Sequence, residues 1–156
     1  MHAKGKLLLE KYFKVNGSSE TKPIALEKSF NIKIGGIKFY GKIDRIDPLE
    51  DGGVEIIDYK TGQTKDQKTI DNDDQLTYYA IAAKEALGLV PKKLTYYFVE
   101  ENKKITTSRS EEQLLDIKEK AKSTVADIVS GKFVPKPSML CKFCDYNEIC
   151  PHAYKG

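Results

Sequence analysis

The stretch Gly41–Gly62, GKIDRIDPLEDGGVEIIDYKTG, decides the fold because it holds two apolar runs separated by a turn with a proline and paired glycines. Asp44 lies near the end of the first run, and Asp58 and Lys60 lie on the second. Side chains two positions apart in a strand point to the same face, so Asp58 and Lys60 project together. If the turn closes a hairpin, it also carries Asp44 back alongside Asp58.

Two carboxylates and one ammonium in a small space predict a metal site. Two carboxylates that lie close together repel each other unless a cation lies between them. A hard divalent ion is suitable, because Mg²⁺ prefers one or two carboxylates together with water and phosphate oxygens. The sequence therefore predicts a metal at Asp44 and Asp58. Lys60 could then hold or deprotonate a water, or stabilise charge on a phosphate.

Periodicity outside this stretch predicts an α/β domain. Apolar residues alternate on both sides of the hairpin signal Gly35-Gly36, and the third strand is apolar enough to be central and buried. Helices are indicated by apolar residues three and four positions apart and by polar caps. The predicted elements are a helix over 4–14, strands over 24–34, 37–46 and 54–59, a mobile loop over 61–72, a helix from 73 or 74 to 88, a strand over 93–100, a short strand ending at 107 and a helix between 110 and 131.

The length and charge of the chain narrow its class. Its 156 residues are enough for one domain with a real core. No run of about eighteen apolar residues and no signal-peptide pattern is present, which predicts a soluble, cytoplasmic protein. The net charge of +3 divides into +6 over residues 1–43, −6 over 44–101 and +3 over 102–156. An acidic middle suits a cation site and basic flanks suit a polyanion, although a solvated surface of mixed charge explains the same pattern.

Three segments, GKIDRID, IIDYKTG and QLTYYAIAA, resemble the successive motifs of the RecB-type branch of the PD-(D/E)XK nuclease superfamily. The resemblance covers residues 27–79 and reaches the end of the chain through a cysteine cluster. It implies a restriction-endonuclease-like α/β core with a mixed central β-sheet flanked by helices. It also implies hydrolysis of DNA with Mg²⁺ or Mn²⁺, and a helicase domain or subunit as partner.

The resemblance implies a role for each residue of the predicted metal site. Asp44, Asp58 and the main-chain carbonyl of Tyr59 would ligate the metal, and Lys60 would orient and activate the attacking water. Glu27 occupies the position of an acidic residue that often precedes these motifs in the family. It is either an outer-sphere or second-metal ligand or an exposed glutamate on a strand.

Three further residues gain a role from the resemblance. Gln75 and Tyr79 are four residues apart and share a helix face. In the family, the corresponding residues face the active site and contact DNA near the scissile phosphate. His2 lies in the direction of a metal-binding histidine that RecB-type nucleases often carry upstream of the sheet, and is otherwise a frayed terminal residue.

The three cysteines form a separate cluster near the end of the chain. Cys141, Cys144 and Cys150 are spaced C-x2-C-x5-C, too tight and too odd in number for a disulfide framework. The spacing resembles the cysteines of RecB-type nucleases that hold a [4Fe–4S] cluster, whose fourth cysteine comes from well upstream. This sequence has no fourth cysteine. Either an upstream part is missing, or His152 completes a Cys3His zinc site, or the three thiols are free. A bound site would pin the segment 138–152 to the core as a staple.

These features predict one PD-(D/E)XK nuclease domain over residues 1–156, cut from a longer chain. The predicted function is a metal-dependent DNA exonuclease in helicase-coupled DNA repair or recombination. A second hypothesis is a catalytically idle DNA-binding or scaffolding module of the same fold. A third is a hydrolase that acts on RNA.

Overall fold

The structure is a computed structural model that describes residues 2–18 and 21–154, with the side chains of residues 2 and 3 outside the description. Strands and helices follow one another as the sequence predicts, with one addition. The elements are α1 His2–Asn16, β1 Ala25–Ile34, β2 Ile37–Pro48, β3 Val54–Lys60, α2 Gln67–Asp71, α3 Asp74–Glu85, β4 Pro91–Phe98, β5 Lys103–Thr107 and α4 Glu111–Val129, followed by a 3₁₀ turn Met139–Phe143.

The strands form one mixed sheet in the order β1-β2-β3-β4-β5. All neighbouring pairs are antiparallel except β3 and β4, which are parallel. A parallel pair requires a crossover, which α2 and α3 supply. Gly35 and Gly36 form the β1–β2 turn with φ of 58° and 85°, a region that glycine enters without steric cost. The predicted α/β fold with a mixed sheet flanked by helices is confirmed.

Helices cover both faces of the sheet. Tyr96 and Tyr97 are successive residues of β4 and therefore point to opposite faces. On one face Tyr97 meets Tyr12 of α1, with ring centroids 5.5 Å apart. On the other face Tyr96 reaches α3, where its hydroxyl lies 3.0 Å from Oε1 of Gln75. Side chains such as Ile56 and Leu94 are 0% and 1% exposed, so the central strands are buried as predicted.

The predicted mobile loop over 61–72 is wrong for the five residues of α2. Asp66 caps this helix, because its side chain accepts hydrogen bonds from the amide and the hydroxyl of Thr69 at 2.9 and 2.7 Å. Ile70 is fully buried and anchors the turn in the core. One apolar residue in a polar stretch gives no periodicity, which is why the pattern indicated a loop.

The chain divides into two compact units, Met1–Lys122 and Ser123–Gly156. The whole sheet lies in the first unit. The second contains the end of α4 and the 3₁₀ turn, which Ser138 caps by accepting from the amide of Leu140 at 3.3 Å. The single-domain organisation proposed for 1–156 stays a prediction. In the part of the chain that the structure describes, no helix combines the length and the apolar character needed to cross a membrane.

Candidate active site

The β2–β3 hairpin places the two aspartates side by side. The last paired residues are Arg45 and Ile57, and one further step in the same antiparallel register sets Asp44 opposite Asp58. Residues opposite each other in such a pair have Cβ atoms about 5 Å apart. The side chain of Asp44 also bonds to the neighbouring strand, because its Oδ2 accepts a hydrogen bond from the main-chain amide of Tyr59 at 2.9 Å.

Asp58 is a buried carboxylate with partners at both oxygens. It is only 3% exposed. Oδ1 accepts hydrogen bonds from Nε2 of Gln75 at 3.2 Å and from the hydroxyl of Tyr79 at 3.1 Å. Oδ2 forms an ion pair with Nζ of Lys60 at 2.7 Å. Because Asp44 lies opposite, one ammonium serves two carboxylates, and this arrangement is costly unless a further cation binds.

Burial and charge both change the titration of this cluster. Burial raises the pKa of Asp58, the negative charge of Asp44 raises that pKa further, and Lys60 lowers it. A carboxylate whose ionised form is disfavoured in this way gains most from a bound cation. Burial and the charge of Asp58 raise the pKa of Tyr79 to about 12, so its hydroxyl stays protonated and acts as a donor.

Gln75 links four other side chains through one amide. Its Nε2 donates to Asp58 and, at 2.8 Å, to the hydroxyl of Tyr79. Its Oε1 accepts from Nζ of Lys60 at 2.8 Å and from the hydroxyl of Tyr96 at 3.0 Å. An amide has two donor hydrogens and two acceptor lone pairs, so all four positions are used and the amide has a single orientation.

Lys60 is held on three sides. Its ammonium contacts the carboxylate of Asp58 and the carbonyl oxygen of Gln75, and it lies over the ring of Tyr96 at 4.7 Å from the centroid. The side chain remains partly exposed, at 31%. It can therefore meet a ligand that enters from solvent.

The donor set at this place fits a hard divalent cation. Asp58 supplies a buried carboxylate that Lys60 alone compensates, and Asp44 supplies a second carboxylate beside it. Among the described residues no group of three or more Asp, Glu, His or Cys side chains is close enough to hold a metal. Two carboxylates suffice for Mg²⁺ or Mn²⁺, because these ions keep several waters and bind substrate phosphates. Ligation by the carbonyl of Tyr59 stays a prediction.

Gly41 has a steric reason to be glycine. A Cβ at this position would lie 2.3 Å from Cζ of Phe30. The Phe30 ring packs edge-on against Tyr79, with centroids 6.0 Å apart and planes at 83°. Glycine in β2 therefore lets Phe30 support the tyrosine that donates to Asp58.

A groove of about 400 Å³ opens next to Gln75 and Tyr79. Phe39 and Tyr78 stack within its wall, with centroids 5.7 Å apart and planes at 19°. Tyr40 contributes a ring that is 70% exposed. The remaining lining residues are Phe30, Ile32, Gly41, Lys42 and Asp74. The groove is mostly apolar. Gln75 and Tyr79, which the family resemblance assigns to DNA contact, also line it.

Glu27 adopts a strained backbone but does not join the two aspartates. Its φ is 49°, in a region that L residues rarely adopt, and it interrupts the β1–β2 ladder opposite Asp44. Its carboxylate forms an ion pair with Nζ of Lys42 at 3.0 Å and is 65% exposed. Of its two predicted roles, the exposed strand glutamate agrees with this geometry. The side chain of His2 lies outside the described residues.

The cysteines do not form a metal site in the residues that the structure describes. Cys141, Cys144 and Cys150 are free thiols, and with His152 they make no group that could hold a metal ion. Sγ of Cys141 instead accepts from the amide of Ser138 at 3.4 Å. Backbone N–H groups of Ser138 and Tyr154 lower the pKa of this thiol. Ligation of an iron–sulfur group or zinc by these cysteines stays a prediction.

Three residues of the site escaped the sequence analysis. Tyr96 contacts both Lys60 and Gln75 from β4, a segment whose pattern indicated only a strand. Asp73, predicted as a helix cap, also accepts from the Tyr96 hydroxyl at 2.7 Å. Arg109 binds the segment around Asp73 from the connection between β5 and α4. The pair of polar tyrosines inside an apolar strand was the one available signal, because buried hydroxyls require partners.

A mixed sheet with two aspartates and a lysine at the junction of its central strands defines a restriction-endonuclease-like α/β domain. The family model of the PD-(D/E)XK nuclease superfamily matches residues 2–151, so the chain belongs to this superfamily. Nucleases of this superfamily typically use divalent metals.

Individual relatives agree with this membership. The Gene 69 protein of Mycobacterium phage L5 is 33% identical over 134 residues, which cover 81% of this chain and 44% of that protein. The crystal structure of SSO0001 has a TM-score of 0.53 at 20% identity, and the match covers 96% of this chain and 69% of the SSO0001 chain. The crystal structure of a candidate exonuclease from Eubacterium rectale has a TM-score of 0.52 at 13% identity, and the match covers 99% of this chain and 62% of the exonuclease chain. The two structures show the fold alone, and the chain spans less than half of the phage protein.

Proposed function

We propose that this chain is a metal-dependent deoxyribonuclease that hydrolyses phosphodiester bonds. The observation that carries the proposal is the pair of facing carboxylates, Asp44 and the buried Asp58, beside one ammonium, that of Lys60, which lies 2.7 Å from Oδ2 of Asp58. Two carboxylates with one lysine leave a negative charge in excess, which a bound cation would neutralise. Membership of a nuclease superfamily supports the same function.

Each residue of the cluster has a defined task in the proposed reaction. Asp44, Asp58 and the carbonyl of Tyr59 would hold Mg²⁺ or Mn²⁺, which supplies Lewis-acid stabilisation of charge on the phosphate when bound. Lys60 would orient and activate the attacking water. Its 2.7 Å contact with Asp58 and 2.8 Å contact with Gln75 fix where its ammonium lies. Gln75 and Tyr79 would position the nucleic-acid strand; the Tyr79 hydroxyl, whose one proton is donated to Oδ1 of Asp58 here, would turn that proton to a phosphate oxygen when the strand is bound.

The groove beside Gln75 and Tyr79 would receive the nucleic-acid strand. Its exposed Tyr40 and the stacked pair of Phe39 and Tyr78 offer aromatic surface, on which bases stack irrespective of sequence. Lysines 33 and 38 pair across the nearby β1–β2 hairpin and add positive charge. Phosphate contacts of this kind make binding weaker as salt increases.

The experiment that tests the proposal is cleavage of end-labelled single- and double-stranded DNA with Mg²⁺ or Mn²⁺. The native chain is compared with Lys60→Ala and with Lys104→Ala as the matched control. Both lysines lie over a buried tyrosine of β4, Lys60 over Tyr96 at 4.7 Å and Lys104 over Tyr97 at 5.3 Å. Only Lys60 touches an aspartate of the cluster.

We expect metal-dependent cutting by the native chain and by Lys104→Ala, and a loss of about 10²- to 10⁴-fold in Lys60→Ala. Equal cutting by all three proteins would remove Lys60 from the reaction. No cutting by any of them, with Mn²⁺ still bound in a calorimetric titration, would favour the second candidate below. The ladder of products from end-labelled DNA also separates exonuclease, which we propose, from endonuclease action.

The second candidate is a catalytically idle DNA-binding or scaffolding module. One observation favours it, namely that the described residues bring only two carboxylates together and no third metal-ligating side chain. The intact set of Asp44, Asp58 and Lys60 favours the nuclease, because an idle site no longer needs two facing carboxylates with one ammonium between them.

The wider setting is also a proposal. We place the chain in the RecB-type branch, working beside a helicase domain or subunit in DNA repair or recombination, with a cytoplasmic location. A [4Fe–4S] cluster in a longer protein would require a fourth ligand besides Cys141, Cys144 and Cys150. Iron and sulfide analysis of a longer native chain would test this part separately from cleavage.

A further inference from the structure

Tyr96 lies where the catalytic cluster meets the start of α3. It is 1% exposed, and its hydroxyl lies 2.7 Å from Oδ1 of Asp73 and 3.0 Å from Oε1 of Gln75. The face of its ring lies beneath the ammonium of Lys60. One side chain therefore contacts both residues whose orientation defines the polar part of the site.

Asp73 is fixed from two directions. Its side chain caps α3 by accepting from the amide of Leu76 at 3.1 Å, and the same oxygen accepts from Tyr96. Its main-chain carbonyl accepts from Nη2 of Arg109 at 3.0 Å. A capping carboxylate that is held in this way sets the position of the first helical turn, which contains Gln75.

Arg109 has all five N–H groups bonded to the elements around the helix start. Nη2 also donates to the carbonyl of Ile70, in the C-terminal part of α2, at 2.9 Å. Nε donates to the hydroxyl of Thr77 at 2.7 Å, and Nη1 to Thr107 and Ser108 at 3.0 and 2.9 Å. A planar fork with five satisfied donors holds its partners in one geometry. It joins β5, α2 and α3 at the point where Asp73 begins the helix.

We propose that Tyr96, anchored by Asp73 and Arg109, is a positioning residue that orients the amide of Gln75 and the ammonium of Lys60. Tyr96 itself would touch neither the substrate nor the metal. The single O–H of Tyr96 is shared between Oδ1 of Asp73 at 2.7 Å and Oε1 of Gln75 at 3.0 Å, so it ties the amide to the helix cap with Oε1 on the Lys60 side and Nε2 facing Asp58. Without the hydroxyl, the amide loses this tie and shifts relative to Lys60 and Asp58.

The test compares Tyr96→Phe with Tyr97→Phe. Both residues are buried tyrosines of β4 with bonded hydroxyls, but Tyr97 faces α1 and bonds to Asn16 at 2.7 Å and to Asn102. Each variant keeps the ring and loses only the hydroxyl, so a general cost of removing a buried hydroxyl appears in both. Thermal melting confirms that both variants fold.

The first measurement is kinetic, and in this part the inference rests on the proposed nuclease function. We expect Tyr96→Phe to lower the cleavage rate at saturating DNA by roughly 10- to 100-fold with unchanged affinity for DNA, because the groups are displaced rather than removed. Tyr97→Phe should cut at the native rate. In a Gln75→Ala background, Tyr96→Phe should have no further effect, because its action passes through that amide.

The second measurement does not require activity. The side-chain amide of Gln75, assigned in a ¹H–¹⁵N NMR spectrum, should shift in Tyr96→Phe, because the hydroxyl bonded to its carbonyl oxygen is removed. It should stay in place in Tyr97→Phe. A native chain that cuts no DNA would reject the nuclease function, and the NMR comparison would still decide the inference. An unmoved Gln75 signal in Tyr96→Phe, or equal effects in the two variants, would overturn it.

Discussion

The two faces of the sheet carry neighbouring buried tyrosines with different surroundings. Tyr97 belongs to a network on the α1 face, in which Tyr12 and Tyr59 share a hydrogen bond of 2.9 Å and Asn16 donates to Tyr97. Tyr96 belongs to a network on the α3 face that contains Asp58, Lys60 and Gln75. In this second network two facing carboxylates, Asp44 and Asp58, have one ammonium between them.

The aspartates on the two faces differ in the same way. Asp47 is 7% exposed and its Oδ1 accepts from Nε of Arg45 at 2.7 Å, so its charge has a permanent partner. Asp58 is buried more deeply and pairs with Lys60, but Asp44 opposite it adds a second negative charge. A carboxylate whose charge is balanced within the protein supports the fold, whereas a cluster with one carboxylate in excess can bind a cation.

The largest expected effect separates these two aspartates. Asp58→Asn is expected to lower the cleavage rate about a thousandfold, since several kcal/mol of metal-derived charge stabilisation is lost. Asp47→Asn is expected to cut at close to the native rate but to be less stable by about 1–2 kcal/mol, because the Arg45 hydrogen bond is weakened. Single-turnover cleavage and urea unfolding measure the two effects. Similar losses of cleavage in both variants would show that Asp58 has no special role compared with Asp47.

The next effect is stabilisation by metal. A ligand that binds only the folded chain stabilises it by about 2.7 kcal/mol when present at a hundred times its dissociation constant. We expect Mn²⁺ to raise the free energy of unfolding of the native chain and of Asp47→Asn by this amount, and that of Asp58→Asn very little. Urea unfolding with and without Mn²⁺ measures it. Stabilisation that persists in Asp58→Asn would place the metal somewhere else in the chain.

Packing beneath Asp58 and Tyr79 predicts a smaller effect. Gly41→Ala puts a Cβ into the ring of Phe30, which supports Tyr79, and overpacking of this kind costs about 1–3 kcal/mol. Gly5→Ala on α1 is the control, because no atom lies within 4 Å of its Cβ and alanine favours a helix by about 0.5–1 kcal/mol. Thermal or urea unfolding should show a loss in the first variant and a gain in the second. A neutral Gly41→Ala would show that Phe30 can move away without cost.

The sequence analysis recovered what local patterns determine. The glycine-containing turn and the alternation in GKIDRIDPLEDGGVEIIDYKTG predicted the hairpin, the approach of Asp44 to Asp58, and the common face of Asp58 and Lys60. Strand periodicity of two residues and the sharp turn are properties of short segments, so they can be found without the tertiary structure.

The parts that escaped the sequence analysis depend on contacts between distant segments. Tyr96 meets Gln75 across 21 positions of the chain, and Arg109 meets Asp73 across 36. Nothing in the local pattern distinguishes Tyr96 from Tyr97. The two differ because Lys60 of β3 and Gln75 of α3 lie on the face of the sheet to which Tyr96 points. The short helix α2 was missed for the same reason, since the burial of Ile70 is a tertiary effect.

The smallest expected effect concerns the groove on the α3 face. Tyr40→Ala should weaken binding of a fluorescein-labelled oligothymidylate by about 1 kcal/mol, or roughly fivefold, if a base stacks on the exposed ring. Phe13→Ala is the control, because Phe13 is equally exposed, at 73%, on the helix that covers the other face. Fluorescence anisotropy with Ca²⁺ in place of Mg²⁺ measures affinity without requiring cleavage. Equal affinities of the two variants would mean that the strand leaves the site by another route, and the α3 face would then differ from the α1 face in its chemistry but not in its binding of bases.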